Sequence, residues 1–227
     1  TLIAQALLGL EYAHNQTILH RDIKPGNILV TDNEQAKLSD FGLAIEYGTD
    51  FPDFRGYYTH MPPETLEYET QDKTCDIYAM GVALYRLVND KEKLPHGCKT
   101  KNELILKVKK KAFPPRIYLP HIPAKVTRII NKAINPDITM RYQSCQEFRQ
   151  ALEKLKFDID WCQIEPDKWV GQSDNDLYEI EIINKRKTWQ LNYLKNKRRN
   201  LALCVRFNSE QQAKIRVIDI IRESTLK

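Results

Sequence analysis

Between residues 20 and 42 the chain reads His20-Arg21-Asp22-Ile23-Lys24-Pro25-Gly26-Asn27 and then, after a short interval, Asp40-Phe41-Gly42. Taken as chemistry, this is a carboxylate (Asp22), a cation two residues on (Lys24), an amide oxygen (Asn27) and a second carboxylate (Asp40). Such a set suits phosphoryl transfer. That reaction asks for a base to orient an attacking hydroxyl, oxygen ligands for metal ions that bridge phosphates, and positive charge at the moving group. A polar loop with two solvated acids would not need these residue types in this order.

The two motifs match the H-R-D-L-x-x-x-N catalytic loop, with Ile23 in place of Leu, and the D-F-G that follows it at the same spacing. On those residues the chain resembles the eukaryotic-type (Hanks-type) protein Ser/Thr kinases. The likeness runs from Thr1 to Lys156 and covers the larger, C-terminal lobe. It implies that Asp22 is the catalytic base, that Lys24 reaches the transferring phosphate, and that Asn27 and Asp40 hold Mg2+ with ATP as donor. It also implies a protein substrate, and the Asp-x-Lys-Pro wording favours Ser/Thr acceptors. The rival reading is a pseudokinase or scaffold whose surfaces bind a partner.

The same likeness assigns supporting roles. From Asp40 to Glu64 the chain resembles an activation segment, closing at Met61-Pro62-Pro63-Glu64 where the family writes A-P-E. Glu64 is expected to pair with Arg141, which follows Pro136-Asp137 as in the family and would grip the carboxylate in fork geometry. Asp76 opens an apolar run, Thr74 to Val88, and is expected to hold the catalytic-loop backbone from a helix N-terminus. Two departures stand out. Gly56-Tyr57 replaces the usual Gly-Thr, which puts acceptor preference in question, and Asp53 occupies the place of a phosphorylated threonine that Arg21 would grip. Asp53 has two readings, a permanent negative charge in place of phosphate or a solvated loop acid. Thr49, Tyr57, Tyr58 and Thr59 are phosphorylation candidates by position alone.

Periodicity fills in the rest. Leu2, Ile3, Ala6, Leu7, Leu10 and Ala13 recur at helical spacing. Ile28 to Val30 and Ala36 to Ser39 read as a hairpin, and residues 74–88, 102–112 and 122–134 as helices. A further helix is capped by Ser144 and Glu147. Lysines 107, 109, 110 and 111 read as solvated charge at a helix C-terminus, or as a docking patch for acidic segments.

Beyond Lys156 the wording changes. Alternation at Tyr178–Ile182, Trp189–Tyr193 and Leu201–Phe207 predicts three antiparallel strands, and Ser209 caps a final helix. The expected fold class is therefore a mainly α kinase C-lobe (α+β, protein-kinase-like) over 1–157, followed by a small α+β domain over 158–227. Lys185-Arg186-Lys187 and Lys195, Lys197, Arg198, Arg199 fall at turns of that domain. They read as solvated charge, with an acidic or nucleic-acid partner as the alternative.

A net charge of +5 over 227 residues carries no strong polyanion signal. Five scattered cysteines form no C-x-x-C pair, which fits reduced thiols in a cytoplasmic protein. No apolar run reaches the ~20 residues needed to span a bilayer. The Gly-rich loop, strand lysine and helix glutamate of a kinase small lobe do not occur in the chain, so the expectation is a fragment. The purified 227-residue polypeptide should then show no appreciable phosphorylation of a protein substrate in a radiolabel-transfer assay; efficient transfer would contradict this.

Overall fold

The computed structural model describes residues 2–46 and 58–226. Asp53, Tyr57, Gly56 and Thr49 lie outside them. The chain divides into two compact units, Thr1–Leu119 with Ala124–Lys154, and Pro120–Pro123 with Leu155–Lys227.

The first unit is built on helices. Helix α1 (Leu2–Asn15) buries Ile3, Ala4, Ala6, Leu7, Leu10 and Ala13 along one stripe. Strand β1 (Ile18–Leu19) follows and leads into the catalytic-loop sequence. Strands β2 (Ile28–Val30) and β3 (Ala36–Leu38) form the hairpin that the alternation predicts, with Leu29 opposite Lys37. Strand β4 (Ile45–Glu46) returns antiparallel to β1, pairing Leu19 with Ile45. The backbone is thus laced together on both sides of residues 20–44.

Helix α2 (Pro63–Tyr68) starts at a proline, whose missing N–H costs nothing at a first helical position. Helix α3 (Lys73–Val88) is the centre of the unit. Its cap is Asp72, whose Oδ1 accepts from the Thr74 amide at 2.7 Å. Every residue from Thr74 through Arg86 except Cys75 is buried. A helix apolar on nearly every side has to be surrounded. Helices α4 (Lys101–Lys109), α5 (Ala124–Ala133) and α6 (Cys145–Glu153) complete the unit. Ser144 caps α6 through the Glu147 amide at 3.1 Å, while Glu147 reaches back to the Gln143 amide. Lys109 is paired with Glu67, and Lys107 donates to the His96 carbonyl, so these two lysines have definite partners.

The second unit corrects the expectation of three strands. Its sheet has six: β5 (Asp160–Glu165), β6 (Lys168–Gln172), β7 (Leu177–Lys185), β8 (Thr188–Lys195), β9 (Arg198–Arg199) and β10 (Arg206–Phe207). The order is β10-β8-β7-β6-β5, with β9 also on β8, and every pairing is antiparallel. Two of the predicted strands are β7 and β8, in a register that sets Ile180 opposite Tyr193 and Ile182 opposite Leu191. These four pack against Ala213, Val217, Ile220 and Ile221 of helix α7 (Glu210–Ser224), which Ser209 caps as expected.

The third expected strand shrinks to Arg206–Phe207. Asn200 bends the preceding residues into a turn: its carbonyl accepts from the Leu203 and Cys204 amides and its Oδ1 from the Ala202 amide at 3.2 Å. The alternation at Leu201 and Leu203 therefore marks no strand, and Leu201 is exposed. Strands β5 and β6 escape the alternation rule because β5 is almost wholly exposed and β6 carries Gly171. A Cβ on Gly171 would stand 2.7 Å from Ile159 Cγ2 and 2.8 Å from Trp161 Cε3, so the glycine is the space the tryptophan fills.

Gly81 plays the same part in α3, where a Cβ would lie 2.7 Å from both Ala133 Cβ and Ile134 Cγ2. Gly→Ala within a helix ordinarily stabilises by about 1 kcal/mol. Here the sign should reverse: Gly81→Ala is expected to cost about 1–3 kcal/mol through overpacking, read as a lower urea midpoint at unchanged slope.

Candidate active site

Asp22 is buried, and its carboxylate is asymmetrically occupied. Oδ2 accepts from Lys24 Nζ at 2.5 Å and from Asn27 Nδ2 at 3.1 Å. The same Asn27 nitrogen donates to the Asp22 carbonyl at 2.8 Å, locking the 22–27 loop on itself. Asp22, Lys24 and Asn27 are thus one hydrogen-bonded cluster. Because Asn27 uses its nitrogen inward, its Oδ1 is the end available to a cation.

Asp40 is exposed, and among the described residues no hydrogen bond or ion pair joins it to that cluster. Its neighbours on both sides are nevertheless tied to the loop. The Ser39 amide donates to the Asn27 carbonyl at 2.9 Å and Ser39 Oγ does so at 3.1 Å. On the other side, the Phe41 ring lies 4.5 Å from the ring of His20. His20 itself is fully buried; its Nε2 donates to the Ser39 carbonyl at 3.0 Å and its Nδ1 accepts from the Asp22 amide at 3.3 Å. Asp40 also has left-handed backbone geometry, φ 61°, uncommon for a residue with a side chain. The Asp40 carboxylate and the Asn27 side-chain amide are oxygen donors of the hard kind that Mg2+ takes.

Arg21 shares this strained geometry at φ 70°. Its amide donates to Asp76 Oδ1 at 2.9 Å, while Asp76 Oδ2 accepts from the His20 amide and pairs with His14 Nε2, both at 2.9 Å. Asp76 sits in the first turn of α3, where a carboxylate also meets the positive end of the helix dipole. The sequence motif names the residue but not the His14 contact.

Glu64 and Arg141 meet as a bidentate pair, Nη1–Oε1 2.5 Å and Nη2–Oε2 2.8 Å. Arg141 is 1% exposed, donates Nε to the Asn135 carbonyl, and stacks 5.0 Å from the Tyr78 ring. A guanidinium this deep is tolerable because each of its nitrogens has an acceptor and one face lies over Tyr78.

A family model for the protein kinase domain matches residues 1–154. The chain belongs to this family. The kinase domain is 33% identical over 154 residues to a probable serine/threonine-protein kinase of Clostridium perfringens, covering 66% of this chain and 22% of that protein. A probable serine/threonine-protein kinase of Streptomyces coelicolor is 33% identical over 153 residues, covering 65% of this chain and 23% of its own length. One from Bifidobacterium longum is 31% identical over 155 residues, covering 64% of this chain and 22% of that protein. The chain spans less than a quarter of the length of these relatives.

One residue of this kinase domain that the motifs do not flag is His60, four positions ahead of Glu64. It is buried and its Nδ1 stands 2.7 Å from the Ile23 carbonyl, between Asp22 and Lys24. Nothing in the sequence pattern marks it.

The Glu64–Arg141 fork carries a direct consequence. Glu64→Ala leaves the buried guanidinium without its counter-charge and should cost about 3–5 kcal/mol, seen as a large drop in the denaturant midpoint. Replacing both partners with apolar residues of similar size should recover most of that loss.

Proposed function

We propose that the protein carrying this chain is a serine/threonine kinase that transfers the terminal phosphoryl group of ATP to protein hydroxyls. The observation that carries the proposal is the split use of the Asp22 carboxylate. One oxygen is fixed by Lys24 and Asn27, which leaves Oδ1 to accept the proton of an acceptor hydroxyl. The names of the relatives, serine/threonine-protein kinases, support the same substrate class.

In this reading Asp22 orients the acceptor, and Lys24, anchored on Asp22, offsets charge on the moving group. Asn27 Oδ1 and the Asp40 carboxylate hold the metal, and their oxygen chemistry fits Mg2+. A Mg2+ ion held there would supply positive charge against the phosphates of ATP. Arg21 and Asp76 keep the loop in its strained shape, and Glu64 with Arg141 fixes the end of the activation segment. Asp53, which lies outside the described residues, supplies in this reading a built-in negative charge in place of phosphate for Arg21 to grip.

The domain assignment is part of the proposal: 1–157 as the kinase C-lobe, 158–227 as an α+β accessory domain that recruits a protein partner. Its two basic clusters occupy opposite ends of β8, since Lys185 pairs with Thr188 at one end and Tyr178 with Lys195 at the other. Lys195 is moreover bridged to Asp176 at 2.7 Å. Charge separated in this way makes a poor track for nucleic acid. A cytoplasmic setting fits five cysteines that are all free. Among the described residues no helix is long and apolar enough to cross a membrane.

In the complete protein, Asp22→Asn should lower kcat roughly 100-fold or more, with KM for ATP little changed. Asp40→Asn should remove Mg2+-dependent transfer. Labelled phosphate recovered on serine or threonine checks the acceptor class, and wild-type turnover by Asp22→Asn would refute the assignment.

A further inference from the structure

His60 reaches the catalytic loop from the far end of the activation segment, in a short 3₁₀ turn, Tyr58–His60. Its imidazole has a partner at each nitrogen. Nδ1 lies 2.7 Å from the Ile23 carbonyl, which can only accept, so Nδ1 carries the hydrogen. Nε2 is then a bare acceptor, and Arg86 Nη1, which can only donate, stands 3.3 Å from it. Arg86 is itself buried near the end of α3 and donates Nε to the Lys91 carbonyl at 3.2 Å. A continuous line therefore runs from the α3 terminus through Arg86 and His60 to the peptide between Asp22 and Lys24. One acceptor at Nδ1 and one donor at Nε2 select the Nδ1–H tautomer in this line.

We infer that His60 is a positioning residue for phosphoryl transfer, setting the Ile23 peptide, and with it Asp22 and Lys24, by a fixed Nδ1–H tautomer braced on Arg86. The inference rests on the kinase reading above. Ile23 has 1% exposure, so its side chain is fixed by the core, and the carbonyl is the remaining handle on the loop at that point. A shift of that peptide moves the base and the cation together. Misplacement of reacting groups by about 1 Å can cost on the order of 100-fold in rate.

The surroundings favour the neutral ring. Burial lowers the His60 pKa from 6.5 to about 4, outweighing the Ile23 hydrogen bond; Arg86 and Lys24 push the same way and Asp22 opposes them. Arg21, Asp72 and Asp76 line the small cavity that His60 shares with the loop. A protonated Nε2 would face the Arg86 guanidinium with a hydrogen, and the line would break.

Two measurements test this. In the 227-residue chain, long-range 15N–1H correlation of labelled histidine should show His60 as the Nδ1–H form, unprotonated down to about pH 5. An Nε2–H form, or an imidazolium at pH 6, would overturn the inference. In the complete protein, His60→Phe should lower kcat roughly 10- to 100-fold while KM for ATP and acceptor stay within about twofold. His60→Asn, which presents an amide N–H where Nδ1–H stands, should recover most of the loss. Equal losses in both variants, or full turnover in His60→Phe, would show that the residue only fills space or does nothing for the loop. A wild-type protein that transfers no phosphate at all would instead refute the kinase reading, while the tautomer still reports on the clamp itself.

Discussion

The carboxylate of Asp76 is the constraint on which the rest of the site depends. It is 3% exposed, and an unpaired charge at that depth would neutralise or unfold its surroundings. Its partners are the amides of His20 and Arg21 and the ring of His14, so burial is offset by three hydrogen bonds and a helix dipole. Two of those donors are main-chain groups of the catalytic loop. A helix buried along most of its length therefore grips the backbone one residue ahead of Asp22. Left-handed geometry at Arg21 costs roughly 1–2 kcal/mol, and the Asp76 bond to its amide is what makes that shape persist.

A second anchor acts from the other side. Arg141 fixes Glu64 at the start of α2 and also donates to the carbonyls of Asn135 and Pro136, so the end of the activation segment is tied to the connection between α5 and α6. At its beginning the same segment leaves through β4, paired with β1. One flank is thereby fixed to β1, which leads into residues 20–27, and the other to the α5–α6 connection. Chemistry that needs atoms placed to within tenths of an ångström gains from having its variable segment held at the ends.

How much of this could be read from the letters follows from what kind of information each feature carries. Helices α1 and α5 are legible because burying one stripe forces a 3.6-residue spacing, and α3 because its run is apolar on nearly every side. The Glu64–Arg141 fork is legible because both residues sit inside worded motifs. The second unit is read less well: alternation sees β7 and β8, where one face is buried, but misses β5, which buries almost nothing. It also counts Leu201 and Leu203 as strand when Asn200 turns the chain there. The tether of Asp40 is illegible for a different reason. It runs through carbonyls of Asn27 and Ser39, and a main-chain carbonyl has no letter. His60 is hidden likewise, since its partner is the Ile23 carbonyl.

Three of the five histidines share one device around this loop. His14 bridges Asp76 and the Cys145 thiol, His20 bridges the Asp22 amide and the Ser39 carbonyl, and His60 bridges the Ile23 carbonyl and Arg86. An imidazole differs from other polar side chains in having two polar atoms fixed on opposite sides of a flat ring. Once one end is bonded, the position of the other follows, with no torsion left to absorb error. A lysine in the same place, with its single ammonium on a flexible stem and no acceptor, would not bridge a donor and an acceptor in this way. Each ring thus works as a strut of set length between elements distant in sequence, α1 to α3, loop to β3 terminus, and activation segment to loop. Two such struts end on residues 20–24, and the third braces Asp76, which holds the amides of His20 and Arg21, so a loop with little regular secondary structure is fixed around Asp22 from several sides.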